Sequence, residues 1–570
     1  MQLRDLVDTD TFRPQYSADW GDYISFTEHM QRAADDKGVD LILVDTGDRI
    51  EGNGLYDASV PKGLYQYDIF AEQRNIDVMS TGNHELYRRY TIEYEHNTTV
   101  PNYNESYVAS NLDYINLETR EQMPAAQRYK RFTTKNQGFD IISMGFIFNF
   151  KVYADNSVVQ PVEDLIKEEW FQEIVKEKPD LFLIIGHVGL RMNEFKTIFK
   201  AIRKVNWHSP IAFFGGHAHR RDAVSYGADS FAMASGRYLE TIGWMSIDGL
   251  EKSSGSDSSA KMSTKSSPKF TRRYIDNNLF GMHYHTGLNN ETFPTEHGRK
   301  VSGMITHARK ALDLDYLYGC APRDLWASKA PYGSEDNVYT WLAEEVFPGV
   351  VTREDRKDIP RIALMNNGGI RFDILKGPFT RDTAYTVSPF FSYFRYLPNV
   401  PWKVAKRLEG ILNSSPRILG DAAIDFRSLG IPEQMHPPEF PANAEEEEAA
   451  EPRLELRSIQ QPLTGSTSEL PLIRGHTTKD DIGHDGDDTI HLDWKNFVQP
   501  NVIQGNINFP EDGEPETVDV VFIDFMQSAV LLALKLAGES YRGGDVRDYI
   551  DGTLTHHICE WIKQNWTGEC

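Results

Sequence analysis

Four short apolar runs in the first 220 residues each reach a glycine that lies beside Asp, Asn or His. They are VDLILVDTG (39–47), IDVMSTGNHE (76–85), PDLFLIIGHVG (179–189) and SPIAFFGGHAH (209–219). A short apolar run that ends at a turn residue is typical of a buried β-strand. Helical patterns alternate with these runs, so we expect an α/β fold with polar groups gathered beyond the carboxyl ends of its strands.

The size and charge of the chain narrow the classes of function. With 570 residues it exceeds the size of a single hydrophobic core, which predicts two or more domains. The formal net charge of −24 argues against a nucleic-acid polymer as partner.

No apolar run reaches the ~18 residues of a transmembrane helix. The three cysteines exclude a disulfide-dense scaffold and a cysteine-built zinc site, although one pair could form a bridge.

Two biased stretches divide the expected domains. A first domain is expected over 1–290, with a Ser-rich surface loop at 253–269 between two strands. A second α/β domain is expected over 300–570, with a solvated acidic and Pro-rich excursion at about 432–475. In this domain SGMITHARKALDL and EDNVYTWLAEEVF are each predicted to form a helix. RIALMNNGGIRFDI is predicted to form a strand, a tight turn and a further strand, and DVVFIDFMQSAVLLALKLAG a strand followed by a helix.

The polar residues at the four strand ends have the chemistry of a metal centre. Carboxylates, amide oxygens and imidazoles are ligands for divalent transition metals, and an adjacent glycine lets the backbone turn sharply. Two metals about 3.5–4 Å apart can clamp a phosphoryl group and activate a nucleophile. Taken singly, each residue would also be explained as a helix cap, a turn residue or a structural histidine. Their order together favours the metal interpretation.

The series GD…GNHE…GH…GGHAH resembles the calcineurin-like metallophosphoesterases, and NNGGIR further along resembles their 5′-nucleotidase branch. The resemblance covers nearly the whole chain. It implies an N-terminal metallophosphoesterase β-sandwich flanked by helices, followed by a C-terminal α/β domain that supplies substrate contacts across a cleft. DTGDRIEGNGLYD and GNHELY are similar to a fungal subgroup of nucleotidase-like proteins, which implies a vacuolar or secreted protein. The opening residues MQLRDLVDTDTFRPQ contain no signal peptide.

The resemblance also implies a ligand set for two divalent metal ions, which zinc, manganese or iron would suit. Asp48 would bridge the two metals, His219 would serve the first, and the second would be completed by Asn83, His187 and His217.

The same resemblance gives His84 a catalytic role rather than a metal-binding one. It would lie beside the phosphate and stabilise charge that develops in the transition state. Relatives often carry an acidic residue three positions later that orients this histidine, but Tyr87 stands there in this chain. Glu85 is adjacent, and the partner of His84 is left open.

In the second domain the resemblance identifies contacts for a nucleotide. Asn366 and Arg371 match substrate contacts in NNGGIR, and Arg suits a phosphate or carboxylate through its planar fork. Phe390 matches an aromatic residue on which a base stacks. Asp488, in GHDGDDTI, is placed at the ribose, although this loop lacks the aromatic residue that the family usually has there.

The first motif of the family, Asp-x-His, is incomplete. The segment DLVDTDTF (5–12) places Asp10 at the aspartate and Phe12 at the position of the histidine, and phenylalanine cannot bind a metal. Two interpretations are open. Either the gene model has lost an exon edge together with an upstream signal peptide, or the protein lacks a complete first metal site.

The function predicted from these residues is a metal-dependent phosphomonoesterase. It would hydrolyse nucleoside 5′-phosphates, as small-molecule substrates, to nucleoside and phosphate by attack of a metal-bound hydroxide. One alternative is a hydrolase of another phosphate ester, such as a UDP-sugar or a cyclic nucleotide. The other is a non-catalytic, nucleotide-binding pseudoenzyme. Five N-x-Ser/Thr sequons, at Asn97, Asn104, Asn290, Asn413 and Asn565, hint at a secretory route and a glycoprotein.

Overall fold

A computed structural model describes residues 18–151, 153–219, 221–252, 267–414 and 497–570. These residues divide into two compact units. The first contains 18–50 and 66–306, and the second contains 51–65, 307–414 and 497–570. The short segment 51–65 therefore groups with the second unit, although the chain on either side of it belongs to the first. Within the described ranges, no helix is both long and apolar enough to cross a membrane.

Several sequence predictions fall outside the described residues. They are the assignments of Asp10 and Asp488, most of the Ser-rich loop and the acidic, Pro-rich excursion.

The strands of the first unit are short and follow the apolar runs of the sequence. They are β1 (Val44–Asp45), β2 (Val78–Met79), β3 (Leu112–Ile115), β4 (Gln122–Pro124), β5 (Tyr129–Thr133), β6 (Asp140–Ile147), β7 (Ser157–Val159), β8 (Leu181–His187), β9 (Ile211–Gly215), β10 (Arg221–Gly227), β11 (Ser230–Ser235), β12 (Thr241–Asp248) and β13 (Lys269–Asp276). Each of the four glycine-terminated runs contains a strand, as predicted.

The main sheet of the first unit has the order β10-β11-β9-β8-β6-β5. Its central strands β11, β9, β8 and β6 pair in parallel, and the outer strands β10 and β5 pair antiparallel. Separate small sheets are formed by the parallel pair β1-β2, by the antiparallel pair β12-β13 and by β4-β3-β7. Since β1 with β2 and β8 with β9 run parallel, the carboxyl ends of each pair meet at one edge.

The core of the first unit lies between the main sheet and the smaller ones. Ile141, Leu183 and Ala212 from the main sheet pack with Val78 of β2 and Phe270 of β13. Burial of such side chains is worth about 1.5–3 kcal/mol each and fixes the two layers face to face. The predicted α/β class and sandwich of flanked sheets are thereby confirmed.

Helices flank these sheets in the first unit. The longest, Trp20–Lys37, begins at a capping box between Asp19 and Asp22 and ends at Gly38, whose φ of 66° suits a left-handed cap. The other helical segments are Gln66–Ala71, His84–Leu86, Arg89–Tyr94, Glu95–Thr99, Val100–Asn102, Val162–Leu165, Glu169–Ile174, Asn193–Val205 and Leu279–Thr286. The helix Glu296–Ala311 begins in the first unit and ends in the second. The alternation in YIDNNLFGMHYH is typical of a strand, but its residues His283 and His285 lie in the helix Leu279–Thr286.

The second unit is built on a five-stranded sheet of order β18-β15-β19-β17-β20, beside a pair β14-β16. Its strands are β14 (Leu317–Ala321), β15 (Arg361–Asn366), β16 (Gly377–Thr380), β17 (Tyr393–Pro401), β18 (Val502–Ile507), β19 (Thr517–Ile523) and β20 (Arg547–Thr553). β15 and β19 are parallel, and the other neighbours are antiparallel.

The helices of the second unit match two of the sequence predictions closely. The strand β19 runs into the helix Gln527–Ala537, and the predicted helix of EDNVYTWLAEEVF is found as consecutive helical turns over Val338–Val350. The predicted second strand after NNGGIR is absent from the described elements, apart from a single bridge at Ile374. The remaining helical segments are Gly54–Asp57, Glu354–Arg356, Asn367–Gly369, Arg381–Val387, Trp402–Ala405, Leu408–Leu412, Asp524–Met526, Gly543–Asp545 and Leu554–Asn565.

A disulfide bond joins Cys320 of β14 to Cys570 across a sequence separation of 250 residues. Cys559 is free and buried, and burial raises the pKa of its thiol to about 12. The bridge ties the C-terminal residues of the described chain to the second unit.

Candidate functional site

Five of the predicted site residues gather in the first unit, at the carboxyl ends of four strands. Asp48 follows β1, Asn83 and His84 follow β2, His187 is the last residue of β8 and His217 lies two residues beyond β9. All five side chains are attached at strand ends because each apolar run stops at a glycine turn. The local sequence thus places a carboxylate, an amide and three imidazoles together.

The closest pair in this group is Asp48 and His187. His187 Nε2 lies 2.8 Å from Asp48 Oδ2, and the other ring nitrogen, Nδ1, lies 3.0 Å from the carbonyl oxygen of Thr46. A carbonyl accepts only, so Nδ1 donates to Thr46 and Nε2 is the ring nitrogen that faces the carboxylate, as a donor when it is protonated and as a lone pair when it binds a metal. Two electron-pair donors that converge in this way suit a cation.

The electrostatics around Asp48 favour its anionic form. Burial on its own would raise the pKa of Asp48, but the positive charge that His187 and His84 carry when protonated outweighs burial and holds the pKa of Asp48 well below its usual range. The carboxylate is only 6% exposed. A buried anion is stable only when cationic or hydrogen-bonding groups surround it.

The side-chain oxygen of Asn83, Oδ1, is buried and unsatisfied among the described residues, as is expected of a metal ligand. The Asn83 Nδ2 donates to the hydroxyl of Tyr87 at 3.0 Å, so the oxygen is the end of the amide that has no partner among the described residues. Because an unsatisfied buried oxygen costs about 1–3 kcal/mol, this Oδ1 suits the role of a cation ligand.

Three of the candidate ligands have a strained backbone. Asp48, His217 and His219 have φ values of 61°, 67° and 54°, in the left-handed region that favours glycine. Such conformations cost about 1–3 kcal/mol each and cluster at functional sites. The strain here falls on residues whose side chains the sequence assigns to the metals.

Two glycines allow the first two loops to pack against one another. A Cβ on Gly82 would lie 2.1 Å from Asp48 Oδ1, and a Cβ on Gly47 would lie 2.2 Å from the backbone nitrogen of Gly82. No real side chain tolerates such distances. Glycine is therefore required at both positions for Asp48 to approach the GNHE loop.

Glu85 connects these loops through three backbone hydrogen bonds. Its Oε2 accepts the N–H groups of Asp48 at 3.0 Å and of Gly82 at 2.8 Å, and its Oε1 accepts that of Arg49 at 2.6 Å. Glu85 is fully enclosed, with 1% of its surface exposed. The carboxylate thus holds both candidate ligand loops in one arrangement and is not directed at the His84 ring.

His84 is anchored beside Asp48. Its backbone N–H donates to Asp48 Oδ1 at 2.9 Å, and its Nε2 lies 3.9 Å from Asp48 Oδ2. The edge of the Tyr87 ring meets the imidazole with ring centroids 5.3 Å apart. Tyr87, which stands where many relatives have an acidic residue, therefore contributes a ring contact to His84 and a hydroxyl that accepts a hydrogen bond from Asn83.

His217 and His219 extend the same site. His217 stacks on Phe148 with ring centroids 4.1 Å apart and lies 5.1 Å from the ring of His187. A cavity of about 170 Å³ opens beside Asp48 and has His187, His217 and His219 in its wall. The structure thus brings together the four strand ends that the sequence selected.

The donor set fits one metal better than two. Over the described ranges, no three His, Cys, Asp or Glu side chains converge on one point, so the amide oxygen of Asn83 is needed beside Asp48 and His187. For the first metal the described residues offer Asp48 and His219. Asp10, the other predicted ligand, lies outside the described residues.

The second unit holds the candidate nucleotide-binding residues. The Arg371 guanidinium lies 5.6 Å from the centre of the Phe390 ring, so these two residues are neighbours. Asn366 is the last residue of β15, and its buried Oδ1 has no hydrogen-bond partner among the described residues. The Oδ1 of the next residue, Asn367, is also buried without a hydrogen-bond partner among the described residues. Asp488 lies outside the described part of the chain.

Sequence reasoning missed the groups that support the ligands. These are the Glu85 carboxylate, the Tyr87 hydroxyl, the Thr46 carbonyl and the Phe148 ring. Tyr87 could have been found from its spacing, because a residue four positions beyond Asn83 in a helical turn returns to the same face. Phe148 and Thr46 carry no such signal, since each meets its partner only after the sheet has formed.

Two parts of the chain match known protein families. Residues 6–221 match the family model described as calcineurin-like phosphoesterase, and residues 324–531 match that described as NAD nucleotidase, C-terminal domain. The chain is 35% identical to the protein C1039.02 of Schizosaccharomyces pombe, over 98% of this chain and 89% of that one. It is 36% identical to a protein of Arthroderma benhamiae named "Secreted protein", over 97% and 87% of the two chains.

Among solved structures, a 5′-nucleotidase of Candida albicans is similar over the full length. It is 33% identical, with a TM-score of 0.81 that covers 99% of this chain and 96% of that one. The protein therefore belongs to the calcineurin-like phosphoesterases of the 5′-nucleotidase type. It is a phosphoesterase of a family that acts on nucleotides.

Proposed function

We propose that this protein is a metal-dependent phosphomonoesterase that releases phosphate from nucleoside 5′-phosphates. The observation that carries the proposal is the convergence of His187 Nε2 on Asp48 Oδ2, with the unsatisfied Oδ1 of Asn83 in the same group of loops. A carboxylate oxygen, an amide oxygen and an unprotonated imidazole nitrogen are electron-pair donors that suit a divalent cation. Divalent metal ions, when bound, supply the positive charge that stabilises phosphoryl oxygens and activates water.

The residues of the chain have separate tasks in this proposal. One metal would be held by Asp48, Asn83, His187 and His217. The other would be held by Asp48 and His219, together with Asp10 as assigned from the sequence. His84 donates a hydrogen bond to a phosphoryl oxygen and stabilises the charge that develops there. His84 suits this task because its ring is only 6% exposed and is held beside Asp48.

The nucleoside part is assigned to residues of the second unit. Phe390 would stack on the base, and Arg371, whose guanidinium lies beside that ring, would bind an anionic oxygen through its planar fork. The unsatisfied Oδ1 of Asn366 would accept a hydrogen bond from the nucleoside. Asp488 is assigned to the ribose on its sequence position.

A second candidate is hydrolysis of a diphosphate bond in a dinucleotide. The match of residues 324–531 to a domain named for NAD nucleotidase favours it. UDP-sugars and cyclic nucleotides are further esters that the same metal chemistry serves. A pseudoenzyme that only binds nucleotide is the remaining alternative.

We also propose delivery through the secretory route, to the vacuole or the exterior. The disulfide Cys320–Cys570 supports this route, because such bonds persist in oxidising compartments. A relative that is 36% identical is named as secreted.

A substrate panel tests the proposed reaction. The purified chain, supplied with manganese or zinc, is assayed for hydrolysis of five substrates. Phosphate release is followed for 5′-AMP and 3′-AMP, and the nucleotide products are separated by chromatography for a cyclic nucleotide, UDP-glucose and NAD. We expect the highest kcat/KM for 5′-AMP. A higher kcat/KM for any other member contradicts the proposed substrate, and metal binding without hydrolysis of any member contradicts the proposed reaction.

Matched histidine variants test the assignment of roles. His84→Asn is expected to lower kcat by about 10²–10³ without loss of bound metal, as for removal of one transition-state donor. His217→Ala is expected to lose metal as well as activity. His208→Ala, at an exposed position, serves as the control and should leave both unchanged.

A further inference from the structure

Five sequons occur in this chain, and their surroundings in the folded protein differ. An asparagine accepts an N-linked oligosaccharide only if its side-chain amide can be reached and the attached sugar has room. We propose that Asn104 and Asn290 are the N-glycosylated residues of this protein. The proposal concerns the surface of the first unit and does not depend on the proposed reaction.

Asn104 lies in an exposed turn between the helix Val100–Asn102 and the bridge residue Tyr107. The described contacts include no hydrogen bond of its side-chain amide. The backbone carbonyl of Asn104 accepts from the Gln127 amide at 3.2 Å, which holds the turn without using the Asn104 side chain. The Asn104 amide is therefore presented to solvent on a fixed backbone.

Asn290 lies in the exposed turn that follows the helix Leu279–Thr286. The preceding residue, Asn289, makes the hydrogen bonds of this turn. Its Oδ1 accepts the N–H groups of Glu291 at 3.0 Å and Thr292 at 3.2 Å. Within the described contacts the Asn290 amide takes no part in this network, so a sugar attached there would displace no hydrogen bond.

The Asn413 sequon is excluded by its contacts. The Asn413 Nδ2 donates to the carbonyl of Val502 at 2.9 Å, and its Oδ1 accepts the N–H of the same residue at 2.8 Å. The residue is also half-buried. A sugar on this amide would break the contact that fixes the first residue of β18.

The two remaining sequons are disfavoured for separate reasons. The Asn565 Nδ2 donates to the carbonyl of Trp561 at 2.8 Å at the end of the last helix. Asn97 lies inside the helical turn Glu95–Thr99, and the Thr99 that completes its sequon is 6% exposed. Neither residue combines an exposed turn with an uncommitted amide.

The modification requires a donor that the secretory compartment supplies, a lipid-linked oligosaccharyl diphosphate. The asparagine Nδ2 attacks the anomeric carbon and forms an N–C bond while the C–O bond to the diphosphate breaks. The amide proton passes to the base of the transferase, and the lipid diphosphate leaves. No oxidation or reduction takes place. The disulfide Cys320–Cys570 independently indicates a compartment of this kind.

The experiment is site-specific mass spectrometry of the full chain, secreted by yeast behind a cleavable leader. Enzymatic removal of N-glycans in heavy-oxygen water converts each modified asparagine into labelled aspartate. We expect label at Asn104 and Asn290 and none at Asn413. Asn104→Gln and Asn290→Gln should each lower the apparent mass on a gel by that of one glycan, whereas Asn413→Gln should leave the apparent mass unchanged.

Either of two results overturns the proposal. One is a secreted, disulfide-bonded protein without sugar at Asn104 or at Asn290. The other is sugar on Asn413 in protein that is folded by circular dichroism. Neither readout involves phosphate release, so a failure here is distinct from a failure of the proposed reaction.

Discussion

The carboxylate of Glu85 accepts the backbone N–H of Asp48 at 3.0 Å, and the same oxygen accepts the N–H of Gly82. Glu85 therefore acts on the site through the backbone of the candidate ligand Asp48 and is a positioning residue. Its other oxygen holds Arg49, the next residue in the chain. One buried anion thus fixes two loops that lie far apart in the sequence.

We predict that Glu85→Gln weakens metal binding. A glutamine keeps one acceptor oxygen but directs an NH₂ group at one of the backbone N–H groups, so at least one hydrogen bond is lost. Changes to residues that support metal ligands typically cost about 10–100-fold in metal affinity or activity. Isothermal titration with zinc measures the affinity. Exposed Glu105→Gln is the matched control, and equal affinities for the two variants would contradict the role of Glu85.

Tyr87→Phe tests the orientation of the Asn83 amide. The substitution removes the hydroxyl that accepts from Asn83 Nδ2 and keeps the ring that contacts His84. We expect about 10-fold weaker metal binding from the loss of this supporting contact, with little change in melting temperature. The exposed Tyr90→Phe provides the comparison. An unaltered metal affinity in Tyr87→Phe would argue that Asn83 is oriented by other contacts.

Gly82→Ala tests the close packing of the two loops. Its new Cβ would lie 2.1 Å from Asp48 Oδ1, so the carboxylate must move away from His187. We predict loss of metal binding and of phosphate release. Gly303→Ala is the control, because no atom lies within 4 Å of the added Cβ and alanine favours the helix Glu296–Ala311 by about 0.5–1 kcal/mol. Gly82→Ala with normal metal content would refute the packing argument.

The capping box at Asp19 and Asp22 gives a pH-dependent stability. Burial first, and then the Asp19 carboxylate, raise the pKa of Asp22 from 3.8 to about 7. The folded chain therefore retains a proton that the unfolded chain has released, so stability from this group falls as pH rises from about 4 to about 7. One pKa unit corresponds to about 1.4 kcal/mol, so the effect is of the order of a few kcal/mol.

We expect Asp22→Asn to be more stable than the wild type at pH 8 and to differ little from it at pH 4. The asparagine retains an oxygen for the Asp19 N–H and does not ionise. Urea unfolding at both pH values gives the free energies. The exposed Asp36→Asn on the same helix should show no such pH dependence. An equal effect of Asp22→Asn at pH 4 and pH 8 would rule out titration of Asp22 as the cause.

Removal of the Cys320–Cys570 disulfide should destabilise the second unit. Loss of a native disulfide costs about 2–5 kcal/mol, because the bond restricts the unfolded chain, and this one closes a separation of 250 residues. The double variant Cys320→Ala/Cys570→Ala should melt at a lower temperature than the wild type and should no longer respond to dithiothreitol. A wild-type protein that is insensitive to reductant would contradict this account.

The sequence predicted the parts of the site that are encoded locally. An apolar run that stops at a glycine defines both a strand and the point where its polar residues emerge, so the four polar clusters could be located before the fold was known. The choice of Asp48, Asn83, His187 and His217 within these clusters came from the family resemblance, and their role as ligands stays a prediction. Their grouping followed from the rule that parallel strands meet at their carboxyl ends.

The parts that were missed depend on contacts between distant segments. Cys320 and Cys570 were two of three possible bridging partners, and only the fold decides between them. His283 and His285 are an exception, because the signals missed there were local: the residues alternate as in a strand, but Asn278 and Gly287 cap a helix around them. The grouping of 51–65 with the second unit had no local signal, since its Gly54 N–H meets Asp382 more than 300 residues later.

The central claim is that the donors around Asp48 bind metal and that the bound metal supports release of phosphate from a nucleotide. Elemental analysis and a 5′-AMP assay on the same sample, after addition of manganese or zinc, test it most directly. The account predicts stoichiometric divalent metal with phosphate release, and loss of both in Asp48→Asn. A folded chain that retains no metal and releases no phosphate, or a variant Asp48→Asn that keeps both properties, would contradict it.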